Sequence, residues 1–247
     1  SLDEDDVYPV NGPVNLVRLQ QVIDLVDRPD LKFAPFIPAW PSGLSASRNE
    51  LFDRIRANDI LLHHPYESFE PVQRFLSSAA SDPAVVAIKQ TVYRTGADSV
   101  VMESLIEAAR RGKEVTVVVE LMARFDEETN INWASRLEQA GAHVVFGVVG
   151  NKTHAKMCLV VRRESQGMRR YAHLGTGNYH PRTAKLYTDF GLFTSHAEIC
   201  ADVHEVFQQL TGLGHAKPLK VLWQSPFTLH ERAVAAIARE AAHAKAG

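Results

Sequence analysis

The sequence predicts an α/β protein whose mixed sheet is flanked by helices on both faces. Three observations carry that expectation. From residue 47 onward, segments with helical apolar spacing alternate with short β-branched runs, the order that builds strand-helix-strand units. Two helical segments end in Gly just before a strand, Gly112 in "ARRGK" and Gly141 in "EQAGA", which is the usual C-terminal stop. The run "EVTVVVEL" is apolar almost throughout instead of alternating, the mark of a strand covered on both sides.

A chain of 247 residues, 45% of them hydrophobic, is long enough for a sizeable core,. Its formal net charge of -2 argues against a nucleic-acid-coating surface, so a polyanionic ligand needs a local cluster of Lys and Arg,. Cys158 and Cys200 lie in apolar or helical contexts without CxxC spacing. They read as buried thiols in a reducing compartment, with neither zinc nor a disulfide indicated. The opening "SLDEDD" lacks a signal-peptide pattern and no run reaches the length of a membrane span, so the expected location is cytoplasmic,.

Along the chain, "VNLVRLQQVIDLV" places Leu16, Leu19, Val22 or Ile23, and Val26 on one helical face. Prolines at 29, 35, 38 and 41 then impose an extended crossing segment,. A helix is expected at "SRNELFDRIRAN", a strand at "DILLHH", a helix at "FEPVQRFLSSAAS" and a strand at "AVVAIKQTVY". The helix "DSVVMESLIEAARRGK", with Val101, Leu105 and Ala108 inward, feeds the run "EVTVVVEL". The helix "DEETNINWASRLEQAG" feeds "AHVVFG". Strands near 154–162, 168–174 and 188–194 follow, then a helix near 197–210, a linker, a short strand at "VLW" and an Ala-rich helix. Thr228 and Glu231 read as a capping box for that last helix,. Its single apolar face lacks a partner in the sequence, and the abrupt acidic start has no lead-in, so the chain is expected to be truncated at both ends. The expected division is 1–44, the tail of a preceding helical domain with a linker; 45–218, a catalytic domain; and 219–247, the start of a second, truncated domain.

The chemistry concentrates in "NKTHAKMCLVV". Read as a strand, this stretch projects Lys152, His154 and Lys156 to one side. Two ammonium groups beside one imidazole are costly in a core and favourable in a cleft that holds a polyanion. A solvent-exposed strand end with an ordinary histidine is the other reading of these residues. Downstream, "YAHLGTGNYHPRTAKLYTD" holds Gly175, Gly177 and Asn178 in a tight turn. There, backbone N–H groups and the Asn178 amide could approach an oxyanion.

Together these patterns resemble the HxK…G(S/T)xN signature of the phospholipase D superfamily, whose members use a histidine nucleophile. That pattern carries an Asp where this chain has Val161. Over nearly its whole length the chain instead resembles the histidine-phosphorylating polyphosphate kinase family, through "TVYRTGADS", "VTVVVELMARFDEETNINWA", "KTHAKM" and "RRYAHLGTGNYHPRTAKLYTDFGLFT". The resemblance implies a phospholipase D-like fold, with this chain matching the end of the second, all of the third and the start of the fourth of four domains. It implies reversible transfer of the ATP terminal phosphoryl group to polyphosphate through phosphorylated His154. Lys156 would shield the developing charge, and Mg2+ would be the cofactor.

It also marks Arg94 in "VYRT" and Arg124 in "ARFDEE" as phosphate and magnesium-site residues, and Tyr187 in "KLYTD" as nucleotide-binding. From the residues alone, both arginines follow strands, at the edge where α/β sheets gather ligands. Surface ion pairs are the other reading of the arginines, and a half-buried aromatic that of Tyr187. Asp126, Glu127 and Glu128 read as helix-start carboxylates, with holding a cation or balancing Arg124 the other reading. Expected partners are ATP or ADP and polyphosphate, with no nucleic acid; a homo-oligomeric parent is expected and a membrane-peripheral one is left open. Two other functions compete, a phospholipase D-type phosphodiesterase or transferase and an inactive interface module. The second arises because the family completes its site with a second histidine and another arginine from the fourth domain and an Asn from the first.

Overall fold

The computed structural model describes residues 3–44, 50–93, 96, 98–120, 127–147, 152–212 and 217–247, with Asp24 and Glu127 described by backbone alone. The chain divides into two units, Ser1–Ile37 and Pro38–Gly247. In the first, 3-10 turns at Glu4–Asp6, Leu16–Leu19 and Pro29–Leu31 accompany one short helix, α1 (Gln20–Leu25). The short helix expected there forms as the 3-10 turn at Leu16–Leu19 running into α1, with Leu16, Leu19, Val22 and Val26 all exposed.

The second unit is built on a seven-stranded sheet. Its strands are β1 (Ile60–His64), β2 (Val85–Val92), β3 (Glu114–Val119), β4 (His143–Phe146), β5 (Lys156–Glu164), β6 (Gly167–Gly175) and β7 (Asp189–Thr194). They lie in the order β1-β7-β6-β5-β2-β3-β4. Strands β2, β3 and β4 are parallel, whereas β5, β6, β7 and β1 continue the sheet antiparallel to their neighbours. The expected mixed α/β sheet is present.

Helices α2 (Leu51–Ala57), α3 (Glu70–Ser81), α4 (Val100–Arg110) and α5 (Glu127–Gln139) supply apolar side chains to one face, and α6 (Ala197–Leu210) covers the other. Alternation along the strands divides the core accordingly. Val117, Val119, Cys158 and Val160 belong to the first cluster, while Val118, Met157, Leu159 and Ala172 pack with Cys200, Val203 and Phe207. This is why "EVTVVV" is apolar at nearly every position. Val101, Leu105 and Ala108 are fully buried, as their spacing on α4 predicts. Gly112 and Gly141 take positive φ, and the following residues close the helix ends by bonding back, Lys113 N to Ala108 O and Ala142 N to Leu137 O,.

Three local expectations are corrected. The segment "VLW" is not a strand, because the backbone amides of Lys220, Val221 and Leu222 are taken by the buried carboxylate of Asp202. The capping box at α7 (Leu229–Ala246) does not form: Thr228 Oγ1 instead accepts from Gln224 N at 3.0 Å. Residues 152–155 lie outside β5, which begins at Lys156, so the even spacing of Lys152, His154 and Lys156 is not strand alternation. Helix α7 itself forms as expected, with no described residue buried.

A charged network closes one end of the sheet. At the end of the β5–β6 hairpin, Glu164 accepts from Arg162, Arg169 and the Tyr171 hydroxyl, and Arg162 also bonds Asp82 at 2.8 Å. At the opposite edge lie two buried imidazoles. His64 Nδ1 meets Glu67 O at 2.9 Å, and His173 Nδ1 meets the Tyr179 hydroxyl at 2.8 Å. Burial, and then the neighbouring His64, push the His173 pKa from 6.5 down to about 3.

Between those two values the unfolded chain binds a proton that the folded protein does not. The contribution of His173 to stability is therefore fully present above pH 6.5 and is lost as pH drops toward 3, with a slope of up to about 1.4 kcal/mol per pH unit. Denaturant melts between neutral and mildly acidic pH are expected to show this loss. His173→Phe, which cannot take the proton, should be less stable at neutral pH yet show a flatter dependence. An unchanged slope in that variant would exclude His173 as its source.

Candidate functional site

Reversing the strand direction between β2 and β5 gathers particular chain ends at one sheet edge. The carboxyl ends of β1, β2, β3, β4 and β6 meet the amino ends of β5 and β7 there. Such an edge is where open α/β sheets collect ligands. It carries the HxK stretch, the GxGN turn, Tyr187 and the exits from β2 and β3 that lead to Arg94 and Arg124.

Lys156 is the first residue of β5 and only 7% exposed. Its register partner is Gly175, the last residue of β6. The ammonium turns back toward His154, 2.6 Å from its carbonyl oxygen and 3.0 Å from Nδ1. The Tyr93 ring completes this cluster: it meets the His154 ring edge-on at 5.0 Å between centroids, and the Lys156 ammonium lies 5.4 Å from its centre,. The predicted pairing of His154 with Lys156 is therefore present, though through a folded-back side chain.

The electrostatics favour a neutral imidazole. Desolvation, then the Lys156 and Lys152 charges, hold the His154 pKa below 6.5, while Glu120 opposes them,. Burial lowers Lys156 to about 8, with Asp189 acting in the other direction. Lys156 Nζ stands beside Nδ1, and which ring nitrogen keeps its lone pair follows from the tautomer,.

The backbone that carries His154 is pinned on either side. Thr91, on β2, donates its hydroxyl to Ala155 O at 2.7 Å and accepts from Met157 N at 2.9 Å. Glu120, just past β3, accepts from Thr153 N at 2.8 Å. Asn130 on α5 donates to both Tyr93 O and Glu120 O at 3.0 Å, joining the exits of β2 and β3. None of these supports was singled out from the sequence. A carboxylate ending an apolar strand and an Asn inside a helix were visible signals for Glu120 and Asn130. Thr91, an ordinary strand residue, offered none.

After β6, the GxGN turn wraps around Asp189. Thr176 Oγ1 donates to Asp189 Oδ1 at 2.9 Å, and a side chain at Gly177 would collide with that carboxylate. Asn178 lies in this turn with its amide oxygen buried and without a hydrogen-bond partner. The next residue, Tyr179, anchors the turn through His173. Tyr187 is 63% exposed, two residues before β7.

Arg94, Arg124 and Asp126 lie outside the described residues, as does the Glu127 side chain; Glu128 is an exposed first-turn residue of α5. Among the described residues no group of three or more His, Cys, Asp or Glu could hold a metal ion. The cluster offers a cation, an imidazole and amides, and arginines donate without accepting. A cation, an imidazole and amides fit phosphate oxygens.

Residues 50–216 match the family described as "Polyphosphate kinase C-terminal domain 1". The chain is 66% identical over 251 residues to the polyphosphate kinase of Burkholderia vietnamiensis, covering 100% of this chain and 36% of that protein. It therefore spans about a third of the length of the curated relatives it matches. The crystal structure of the Porphyromonas gingivalis polyphosphate kinase superposes with a TM-score of 0.80 at 34% identity, covering 94% of this chain and 39% of that one. NucT from Helicobacter pylori shares the fold alone, at 15% identity and a TM-score of 0.50 over 63% of this chain and 96% of its own.

The arrangement predicts that His154 titrates below 6.5. In Lys156→Gln the midpoint should rise, because a cation is removed, without regaining the full ordinary value, because desolvation persists. Histidine-resolved NMR titration reads both outcomes. A midpoint that stays put on removal of Lys156 would break the proposed coupling.

Proposed function

Because the chain belongs to the polyphosphate kinase family, we propose that it carries the phosphohistidine half of a reversible ATP:polyphosphate phosphotransferase. His154 is the nucleophile. The observation that carries this reading is the His154–Lys156–Tyr93 cluster at the ligand-gathering sheet edge, with Lys156 Nζ 3.0 Å from the imidazole.

The reaction divides into two displacements. A neutral His154 attacks the terminal phosphorus of ATP through the ring nitrogen that holds its lone pair; an N–P bond forms, the P–O bond breaks and ADP leaves. The terminal oxygen of polyphosphate then attacks the phosphohistidine, breaking the N–P bond and lengthening the polymer. The lowered pKa keeps the imidazole unprotonated at neutral pH, so no separate general base is required for the first step. Lys156, largely charged at that pH, stands beside the developing negative charge.

Arg94 and Arg124 are assigned to the transferring phosphoryl oxygens, which a guanidinium fork matches bidentately. Asn178 is assigned to an oxyanion contact and Tyr187 to the nucleotide. Magnesium enters as part of the MgATP substrate and neutralises phosphate charge when bound. A plain phosphodiesterase is disfavoured, since the residue on β5 where the phospholipase D pattern carries its Asp is Val161, paired with Ala87.

In the full-length enzyme, His154→Ala is expected to abolish incorporation of label from the ATP terminal phosphate while leaving nucleotide affinity within severalfold. A nucleophile adds little ground-state binding. Arg124→Ala should weaken both affinity and rate. Label appearing on another histidine in His154→Ala would overturn the nucleophile assignment. Residues 1–247 alone are expected to make no polyphosphate from MgATP, because the matched relatives are far longer and an open site leaves the phosphoryl group unpositioned,. A polymer-specific assay on material free of host enzyme checks this.

A further inference from the structure

One buried carboxylate joins the structural support of this edge to its chemistry. Glu120 is 4% exposed at the carboxyl end of β3. Its backbone is fixed twice, by donation from its N–H to Val92 O at 2.9 Å and by acceptance at its carbonyl from Asn130 Nδ2 at 3.0 Å. Its side chain is thereby aimed at the segment before β5, where Oε2 receives the Thr153 N–H at 2.8 Å. Thr153 is itself buried and immediately precedes His154.

We propose that Glu120 is a positioning residue for the nucleophile, holding Thr153 so that the His154 imidazole is presented against Tyr93 and Lys156. With Thr91 gripping Ala155 and Met157, the carboxylate leaves the backbone on neither side of His154 free to shift. An amide side chain could also accept the Thr153 N–H. A carboxylate does so more strongly, since an ionised acceptor forms the tighter bond. It also acts on His154 against the charges of Lys156 and Lys152. A buried charge is costly to retain; here it offsets a local excess of cations. The inference rests on His154 being the reactive residue, and its test keeps the two claims apart.

The test compares Glu120→Gln and Glu120→Ala by two readouts. In the full-length enzyme, Glu120→Ala is expected to slow phosphohistidine formation by about a hundredfold, the scale of a misplacement near 1 Å, with KM for ATP changed severalfold at most. Glu120→Gln should recover much of that rate, because its carbonyl can still hold Thr153. In residues 1–247, histidine-resolved NMR should show the His154 midpoint falling in the Gln variant, since an opposing negative charge has gone.

A purely structural role would lower the melting temperature and leave that midpoint in place. The proposal is overturned if the Gln variant leaves the His154 midpoint unchanged, or if the Ala variant phosphorylates at the unmodified rate. Should Glu120→Ala fail to fold, the isosteric Gln variant decides through the NMR arm. Because that arm measures the electrostatic influence of Glu120 on His154 and not catalysis, an unlabelled His154 in the unmodified enzyme would sink the nucleophile reading alone.

Discussion

The constraint on which the site depends is the antiparallel seam between β2 and β5 in the middle of the sheet. Strands β2, β3 and β4 run parallel, so helical crossovers link β2 to β3 and β3 to β4, and all three release their chains at the same edge,. Had β5 joined them in parallel, its first residue would lie at the opposite edge. Because it runs the other way, the chain enters β5 where β2 and β3 leave. Lys156 thus starts its strand beside Tyr93 and Glu120, and His154 falls just outside the ladder, where its ring reaches solvent. Thr91 reinforces the seam at this point by bonding across it to both sides of Lys156.

The two ends of the sheet handle charge differently. At the β5–β6 hairpin, Arg162, Arg169, Asp82 and Glu164 form a mutually compensated network, which lowers the carboxyl pKa of Asp82 and of Glu164. It asks nothing of a ligand. At the other edge the cations Lys156 and Lys152 bear on His154 and Glu120 opposes them, while Asp189 acts on Lys156 from the side of the GxGN turn. That imbalance suits an anion, and it keeps the imidazole in the form that can attack phosphorus.

Beneath the exposed chemistry lies an uncharged support. Tyr179 bonds both Nδ1 and the backbone oxygen of His173, tying the GxGN turn to β6. Burial holds that imidazole neutral, so the support brings no added positive charge to an edge already rich in it. The GxGN turn is therefore held from two sides, by Thr176 on the Asp189 carboxylate and by Tyr179 on His173,.

The sequence by itself determined the element order, the double covering of the sheet and the residues of the two signature patches. Those features are local: apolar period, Gly at helix ends and turn chemistry act within a few neighbouring residues. Val101, Leu105 and Ala108 turned inward because a helical stripe has one way to face a core. Tertiary structure decided what depends on distant partners. The amides of 220–222 were claimed by Asp202 instead of a strand, and Thr228 was drawn to Gln224 N and away from its helix. His154 and Lys156 met through a side chain that folds back and not through strand alternation. Glu120 and Thr91 became the grips on the backbone around His154 only because β3 and β2 end beside residues more than thirty and sixty positions further along the chain. No pattern of neighbours encodes such a pairing, since hydrogen-bond direction and burial are set by which strands lie side by side.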